Sequence, residues 1–324
     1  MIHKLKLEDV LAAWAKIKPH IHKTPLLRSQ KLSELLGCDL YIKAEFLQKT
    51  GSFKARGALH FLLAHRGEKQ TYTTYSSGNH GQAVCWAARL RNQKAVIFMP
   101  EDASPAKVAA VRGYGGEARF AGRSSADRYE ACRAYAEGGG AVIVPPYEHP
   151  WIMAGQGTVM LEVLEELPLF DAVLIPVGGG GLLSGNAVAL KALRPNARIY
   201  ACEPELANDA QRSLQKGRLE TIPYPATIAD GARNLNMGGL NWEVIRRTVT
   251  EGLVCSETRI RSAMGDLARY LKQVVEPTGC LTLACLWANR ERFAGKTVVI
   301  YASGGNIGLA DYAALLSREE ADAE

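Results

Sequence analysis

The sequence predicts an α/β protein made of two open lobes, each built on a parallel sheet. Candidate strands and candidate helices alternate along most of the chain, which is typical of parallel sheets with helices on both faces. Two strand segments, 171–177 and 297–303, are almost entirely apolar, as expected of strands that are buried on both faces. The chain has 324 residues, enough for two lobes of ordinary size.

The elements follow from the periodicity of the apolar residues. The first is an amphipathic helix, which Pro25 is expected to end, and its apolar residues recur at helical spacing: Leu7, Val10, Leu11, Trp14 and Ile17. In 39–46 the apolar residues alternate, as in a half-buried strand: Leu40, Ile42, Ala44 and Phe46. Further strands are predicted at 71–76, 94–99, 117–120, 141–144, 171–177, 198–203 and 297–303. Helices are predicted between most of them, at 81–91, 105–112, 125–137, 153–167, 182–193 and 258–274.

The composition excludes several classes of protein. Lys and Arg number 39 against 33 Asp and Glu, but no basic run appears, so no nucleic-acid partner is expected. No apolar stretch is long enough to span a membrane, and no membrane partner is expected. The seven cysteines are scattered without metal-ligand spacing, which favours reduced thiols and a cytoplasmic location.

The first motif that can carry chemistry is KTGSFKARGA, residues 49–58. It places Lys54 after a Thr-Gly-Ser turn and before a predicted helix. Most lysines are simply solvated. A lysine that forms an imine needs a pocket that lowers its pKa, and a helix start with nearby hydroxyls can supply one.

The second motif is SSGNHGQA, residues 76–83, directly after a predicted strand. Small hydroxyl residues and a glycine at a strand–helix junction present backbone N–H groups to an anion. Asn79 adds an amide and His80 a titratable ring. An ordinary capped helix start explains this motif equally well when it is taken alone.

The third motif is PVGGGGLLSG, residues 176–185, between an apolar strand and a helix. Its consecutive glycines let the backbone approach a phosphate at the positive end of the helix: Gly178, Gly179, Gly180 and Gly181. The motif matches neither the P-loop nor the Rossmann fingerprint. A glycine run alone is also compatible with a flexible turn. It indicates a phosphate site only in combination with the candidate imine lysine upstream.

Taken together, these motifs resemble the fold-type II pyridoxal-phosphate enzymes, and within them the serine/threonine dehydratases and the similar serine racemases. The resemblance runs nearly from end to end. Its segments occur in order along the chain: TPLLRSQKLSELLG (24–37), TGSFKARGA, SSGNHGQA, AGQGT (154–158), PVGGGG, TIADG (227–231), EPTG (276–279) and SGGN (303–306).

The resemblance implies a pyridoxal 5'-phosphate site. Lys54 would carry the cofactor as a Schiff base, Phe53 would pack against its ring, and Asn79 would hydrogen-bond its ring hydroxyl. Ser303 would face the pyridine nitrogen, where a serine favours a neutral ring and therefore elimination. The phosphate would be held by Gly178, Gly179, Gly180 and Gly181.

The resemblance also implies a small amino-acid substrate. The substrate carboxylate would be held by Ser76, Ser77, Asn79 and His80, and Arg128 would reach over the substrate from the smaller lobe. Ser77 stands where threonine deaminases have alanine and serine racemases have a catalytic serine. We therefore expect some racemisation or D-serine turnover alongside dehydration of L-threonine or L-serine to a 2-oxo acid and ammonia.

A divalent-cation site is implied by CEPELAND, residues 202–209. Its ligands would be Glu203, the carbonyl of Ala207, and Asp209. Oxygen ligands suit Mg²⁺ or Ca²⁺. Two ordinary surface acids are the alternative interpretation.

Other activities share the same core motifs. A dehydratase for phenylserine or 3-hydroxyaspartate would differ in the loop 145–151 and around Arg128, where Tyr147 and Trp151 either line a subsite or only pack. A β-replacement enzyme is less favoured because SSGNHGQA replaces the TSGNTG-like loop of cysteine synthases. A non-catalytic carrier of the cofactor is less favoured because Lys54 and the substrate loop are both present.

The expected architecture is like that of the tryptophan synthase β subunit, with the cofactor in the cleft between two lobes. The larger lobe would comprise 1–69 and 147–324, and the smaller lobe 70–146. Relatives are often dimers, so a homodimer is expected, although the periodicity of the sequence shows no interface.

Overall fold

The computed structural model describes residues 4–65, 67, 70–76, 78–103, 105–122 and 125–322. The strands in these ranges are β1 (Leu26–Arg28), β2 (Asp39–Ala44), β3 (Thr71–Thr74), β4 (Lys94–Met99), β5 (Glu117–Phe120), β6 (Ala141–Ile143), β7 (Ala172–Pro176), β8 (Arg198–Pro204), β9 (Glu251–Cys255) and β10 (Thr297–Ala302).

The α-helices in the same ranges are α1 (Leu7–Ile17), α2 (Gln30–Leu36), α3 (Lys54–Ala64), α4 (Asn79–Leu90), α5 (Pro105–Gly113), α6 (Ser125–Gly139), α7 (Pro150–Glu166), α8 (Gly181–Leu193), α9 (Asp209–Lys216), α10 (Gly239–Thr248), α11 (Glu257–Asp266), α12 (Pro277–Ala288) and α13 (Leu309–Asp322). Across these described segments, no helix combines the length and the apolar character needed to cross a membrane.

In the described part of the chain, the larger sheet has six strands in the order β1-β2-β10-β7-β8-β9. All neighbours are parallel except β1 and β2, which are antiparallel. Alternate residues of the central strands enter two separate apolar cores. Ile300 and Leu174 belong to one core, and Val299 and Val173 belong to the other. Both faces of the sheet are therefore buried, which explains the almost entirely apolar strands.

The smaller sheet, as far as the described residues form it, has four parallel strands in the order β5-β4-β3-β6. One face packs on apolar residues of α3 and α4, including Leu59 and Val84, and the other face contacts Cys132 of α6. The α/β class with parallel sheets is thus confirmed. All strands of the smaller sheet lie within residues 71–143, while the exact division of the chain into lobes at 70 and 146 stays a prediction.

Some local predictions were wrong in detail. Helix α1 ends at Ile17, well before Pro25, and Leu11 is 46% exposed although it was expected on the apolar face. The helix predicted at 258–274 is α11, which passes into a π-helical segment, Leu267–Leu271. Strands β1 and β9 were not predicted, because β1 has three residues and β9 contains glycine.

Candidate active site

Three helices begin at the junctions that the sequence motifs mark. They are α3 at Lys54, α4 at Asn79 and α8 at Gly181, and their N-cap residues are Phe53, Gly78 and Gly180. In none of the three does the N-cap side chain bond to the first turn. At α4 and α8 the N–H groups of the first turn, at the positive end of the helix, are therefore available to anions. At α3 the N–H groups of Phe53, Ala55 and Arg56 already donate to backbone carbonyls.

Lys54 is the first residue of α3, and its amine is part-buried. The Nζ atom donates to the carbonyl of Pro146 at 2.7 Å and lies 5.2 Å from the centre of the Phe53 ring. Burial lowers the pKa of Lys54 to about 8, because the charged form is poorly solvated there. About a tenth of the amine is therefore neutral and nucleophilic at pH 7, far more than for a solvated lysine.

The glycine loop between β7 and α8 lies against the segment that follows β6. Gly180 has a φ of 90°, in the left-handed region that favours glycine. A Cβ atom on Gly179 would collide with the Tyr147 ring, and one on Gly181 would lie 2.9 Å from the Tyr147 carbonyl oxygen. The close approach of Tyr147, the residue after Pro146, therefore brings this loop near Lys54.

Asn79 is held between two other motifs. Its Nδ2 donates to Glu276 Oε1 at 2.7 Å, and its Oδ1 accepts from Asn306 Nδ2 at 2.7 Å. Asn306 Nδ2 also donates to the carbonyl of Thr50 at 2.7 Å. Burial, and then the charge of Asp230, raise the pKa of Glu276 to about 8. Glu276 and Asn306 were not predicted as site residues, although they lie in the segments EPTG and SGGN.

Ser303, directly after β10, lies beside the start of α3. Its backbone carbonyl accepts from the N–H of Phe53 at 3.1 Å, and the next residue, Gly304, forms an isolated bridge with Ser52. The hydroxyl groups of Thr50 and Ser52 are buried, and among the described residues neither has a hydrogen-bond partner. Buried polar atoms of this kind are typical of a site that binds a polar ligand.

The predicted substrate loop is described in part, because Ser77 lies outside the described residues. Ser76 Oγ accepts from the N–H of Gly78 at 3.3 Å, which shapes the turn before α4. His80 is buried, with Nε2 3.0 Å from the carbonyl oxygen of Val144. Burial and then the charge of Lys54 lower the pKa of His80 to about 3, so its ring is neutral. That His80 binds the substrate carboxylate stays a prediction.

Basic side chains of two helices beside the smaller sheet, α5 and α6, face the segment that precedes α10. Lys107 of α5 lies 2.7 Å from the carboxylate of Asp230. Arg128 of α6 is part-buried, which lowers its pKa, and Tyr224 is near enough to raise that pKa again. Lys107 was not predicted, because a lone lysine in a helix gives no signal in the sequence.

The two aromatic residues of the loop 145–151 lie in different surroundings. Tyr147 packs against the glycine loop, whereas Trp151 contacts Phe61 edge-on with ring centres 5.6 Å apart. Tyr147 is therefore at the cleft, and Trp151 belongs to the packing between α7 and α3.

The predicted cation ligands lie at the end of β8 and the start of α9. Glu203 and Asp209 are each 1% exposed, and Ala207 ends the 3₁₀ turn between them. Burial raises the pKa of both carboxyl groups, and their mutual proximity adds to the shift for Glu203. The Oδ2 atom of Asp209 has no hydrogen-bond partner in the described part of the chain. The described residues contain no cluster of three or more His, Cys, Asp or Glu side chains suited to a metal, so these two acids would need a carbonyl ligand.

A family model described as pyridoxal-phosphate dependent enzyme matches residues 17–304 of the chain. The chain is 43% identical to an L-threo-3-hydroxyaspartate ammonia-lyase of Saccharomyces cerevisiae, over 96% of each protein. It is 41% identical to a serine racemase of Schizosaccharomyces pombe, over 96% of this chain and 97% of the racemase.

Among solved structures, the fold is similar to that of a threonine deaminase from T.th. The TM-score is 0.91 with 44% sequence identity, and the match covers 94% of this chain and 99% of the deaminase. Sequence and structure comparisons therefore agree along nearly the whole chain.

Proposed function

Because the chain belongs to the family of pyridoxal-phosphate-dependent enzymes, we propose that it is an ammonia-lyase acting on β-hydroxy amino acids. The reaction eliminates the β-hydroxyl group as water and ends, after hydrolysis, in a 2-oxo acid and ammonia. The observation that carries this proposal is the position of the Lys54 amine, which is part-buried at the start of α3 and hydrogen-bonded to Pro146, beside the Tyr147 that packs on the glycine loop. A nucleophilic lysine near a glycine loop and an anion-binding helix start fits this chemistry.

The residues present fit the cofactor. The glycine loop offers backbone N–H groups at the start of α8, where added Cβ atoms would collide with Tyr147. Thr50 and Ser52 contribute buried hydroxyl groups without partners among the described residues. We infer that Lys54 holds the cofactor aldehyde, the glycine loop its phosphate, Asn79 its ring hydroxyl and Ser303 its pyridine nitrogen.

When bound, pyridoxal phosphate accepts the electron pair that remains when the bond between Cα and its proton breaks. Lys54, once the substrate amine has replaced its own at the cofactor aldehyde, would be the general base that takes this proton. Backbone N–H groups at the start of α4, with Ser76 and Asn79, orient the substrate carboxylate. Ser303, unlike a carboxylate, does not stabilise a protonated pyridine nitrogen, which favours elimination over transamination.

A dicarboxylic substrate, 3-hydroxyaspartate, is a second candidate beside L-serine and L-threonine. Its additional carboxylate needs a cation, and Lys107 lies close enough to the cleft to lower the pKa of Glu276, the partner of Asn79. Arg128 brings a second positive charge from the same lobe. The name of the Saccharomyces cerevisiae relative agrees with this candidate.

The test is release of 2-oxo acid by purified protein loaded with pyridoxal phosphate. The panel is L-serine, L-threonine, D-serine, threo-3-hydroxyaspartate and threo-phenylserine, with Lys54→Ala as the blank. Turnover that is lost in the variant supports the proposal, and the preferred substrate decides between the two candidates. Absence of product from all five would contradict it and favour β-replacement.

Serine racemisation is proposed as a side activity that depends on Ser77. The support is the sequence alone, because Ser77 lies outside the described residues. Ser77→Ala is expected to abolish racemisation and D-serine turnover and to retain L-serine dehydration. Unchanged racemisation in this variant would contradict the role of Ser77.

We also propose that Glu203, Asp209 and the carbonyl of Ala207 bind Mg²⁺ or Ca²⁺. Two buried carboxyl groups, one with an oxygen that lacks a hydrogen-bond partner within the described residues, suit a hard cation. Treatment with EDTA is expected to lower the melting temperature and the activity, and Mg²⁺ to restore both. A melting temperature that changes with neither EDTA nor Mg²⁺ would contradict the proposed cation site.

A cytoplasmic location is proposed because all seven cysteines are buried, unpaired thiols, as expected in a reducing compartment. A homodimer is proposed from the resemblance alone. Sedimentation at several protein concentrations would test it.

A further inference from the structure

Four charged side chains meet inside the protein behind Lys54, and we refer to them as the buried charge cluster. They are Lys43 at the end of β2, Glu45 just after it, Arg56 of α3 and Glu162 of α7. None of the four has any solvent-exposed surface. The two positive and two negative charges balance.

Arg56 is the centre of the buried charge cluster. Its Nε and Nη2 atoms donate to the two carboxylate oxygens of Glu45 at 2.8 and 2.7 Å. Its Nη1 and Nη2 atoms donate to the two oxygens of Glu162 at 2.7 and 2.9 Å. Lys43 Nζ donates to Glu162 Oε2 at 2.6 Å. The guanidinium group thus forms two bidentate ion pairs along two edges of one rigid plane.

Stability alone is a poor explanation for the buried charge cluster. Removing four charges from water is unfavourable, and apolar side chains of similar volume often give an equal or greater free energy of unfolding. What such a cluster does provide is a single geometry, because any shift of one member leaves a charge without a partner. The question is which part of the molecule this geometry holds in place.

The cluster and its neighbours hold the first turn of α3. Arg56 is two residues after Lys54, and the N–H of Gly57 donates to Gln156 Oε1 at 3.2 Å. A Cβ atom on Gly155 would lie 2.7 Å from the Cα atom of Gly57, so α3 and α7 are in direct backbone contact here. Gly155 and Gln156 belong to the motif AGQGT, residues 154–158, whose role the proposed reaction leaves unassigned.

We propose that Arg56 and Glu162 are positioning residues that fix the direction of Lys54. They clamp the first turn of α3 onto α7, so that the amine of Lys54 is presented to the cleft at the carbonyl of Pro146. This inference rests on the proposed role of Lys54 in binding the cofactor.

The test measures the reactivity of Lys54 without turnover. Apoprotein is mixed with pyridoxal phosphate, reduced with borohydride after set times, and the labelling of each lysine is measured by peptide mass spectrometry. Arg56→Lys keeps the charge balance but removes the double bidentate geometry. Arg292→Lys is the matched control, because Arg292 pairs with Glu251 at the surface. Lys49, in the same segment as Lys54, is the internal reference.

The labelling rate of Lys54 relative to Lys49 is expected to fall at least tenfold in Arg56→Lys and to stay unchanged in Arg292→Lys. If Arg56 only stabilises the fold, Arg56→Lys should lower the melting temperature and leave the ratio of Lys54 to Lys49 labelling unchanged in the folded variant. That result would overturn the inference. If the unaltered protein does not label Lys54, the proposed function itself fails, so the two failures are distinguishable.

A second variant covers the case in which Arg56→Lys does not fold. Lys43→Met with Glu162→Gln removes one charge of each sign, which keeps the cluster neutral and close to its original volume. The same fall in the relative labelling of Lys54 is expected. If this double variant labels Lys54 at the normal rate, or if neither variant folds, the positioning role is wrong.

Discussion

At the residue scale, the proposed chemistry depends on where the amine of Lys54 lies. A solvated lysine is almost fully protonated at neutral pH and is a weak nucleophile. Burial beside Phe53 disfavours the ammonium form of Lys54. The surroundings of Lys54 therefore favour the neutral amine that imine formation requires.

We expect the rate at which the apoprotein forms an imine with pyridoxal phosphate to follow the neutral form of Lys54. With a pKa of about 8, this rate should rise about tenfold between pH 7 and pH 9 and then level off. A lysine of ordinary pKa would show a rise that continues to above pH 10. The measurement is the cofactor absorbance after rapid mixing.

Lys54→Ala is the control for this pH profile, since it removes the amine that is proposed to form the imine and keeps the other lysines. A rate that still climbs steeply above pH 9 in the unaltered protein would contradict the lowered pKa.

Some residues of the candidate site and its surroundings can be predicted from the sequence, and others cannot. Lys54 and the four glycines were predicted because their types and order are unusual. Lys43, Glu45 and Glu162 were not, because charged residues are mostly solvated and nothing local distinguishes a buried one. Lys43 even occupies a polar position in an alternating strand, yet its side chain has no exposed surface.

At the element scale, the site is assembled from helix starts. Each of α3, α4 and α8 begins inside one of the three motifs, and each lacks a side-chain cap. At α4 and α8 the helix start is incomplete until an anion or a polar ligand satisfies its N–H groups. The proposed ligand groups, a phosphate and a carboxylate, provide this at α8 and α4.

Gly181→Ala is expected to weaken the affinity for pyridoxal phosphate at least tenfold. The added Cβ atom would lie 2.9 Å from the backbone oxygen of Tyr147, so the glycine loop or the Tyr147 segment must move. Gly139→Ala is the matched control, because a Cβ atom there has no neighbour within 4 Å. Fluorescence titration of the apoproteins with the cofactor measures the effect, and equal affinities would show that the loop tolerates a side chain.

The elements that the sequence did not reveal share a physical reason. Helix α2 has seven residues and β1 has three, so neither is long enough to show a periodicity. Helix α12 is apolar on nearly all sides, because it lies inside one core of the larger sheet, and it therefore has no amphipathic pattern.

At the scale of the whole molecule, the two sheets are joined by polar contacts across the cleft. Asn79, which follows the smaller sheet's β3, bonds to Glu276 just before α12, and Lys107 of α5 pairs with Asp230. The ion pair is partly exposed, and such pairs contribute about 0.2–1 kcal/mol. A contact of this strength breaks easily and suits a lobe that opens to admit substrate.

Lys107→Met is expected to raise the KM for threo-3-hydroxyaspartate at least about fivefold, since a charged hydrogen bond to the distal carboxylate would be lost. The KM for L-serine, which lacks that group, should change less than about twofold, because a partly exposed ion pair contributes little free energy. Lys94→Met, at the exposed start of β4, serves as the control. Equal effects on both substrates would contradict a role for Lys107 in recognising a dicarboxylate.

The sequence by itself determined the α/β class and most strands of both sheets, and it predicted Lys54 and the glycine loop as site residues. These features depend on local periodicity and on unusual residue types at strand–helix junctions. Both signals come from residues that are close together in the sequence. Only the tertiary structure decided that Glu276 and Asn306 hold Asn79, that Lys107 faces Asp230, and that a buried charge cluster lies behind Lys54. Except for the ion pair between Arg56 and Glu45, each of these contacts joins residues more than 100 positions apart in the sequence. No local pattern encodes which distant side chain will complete a hydrogen bond or balance a charge.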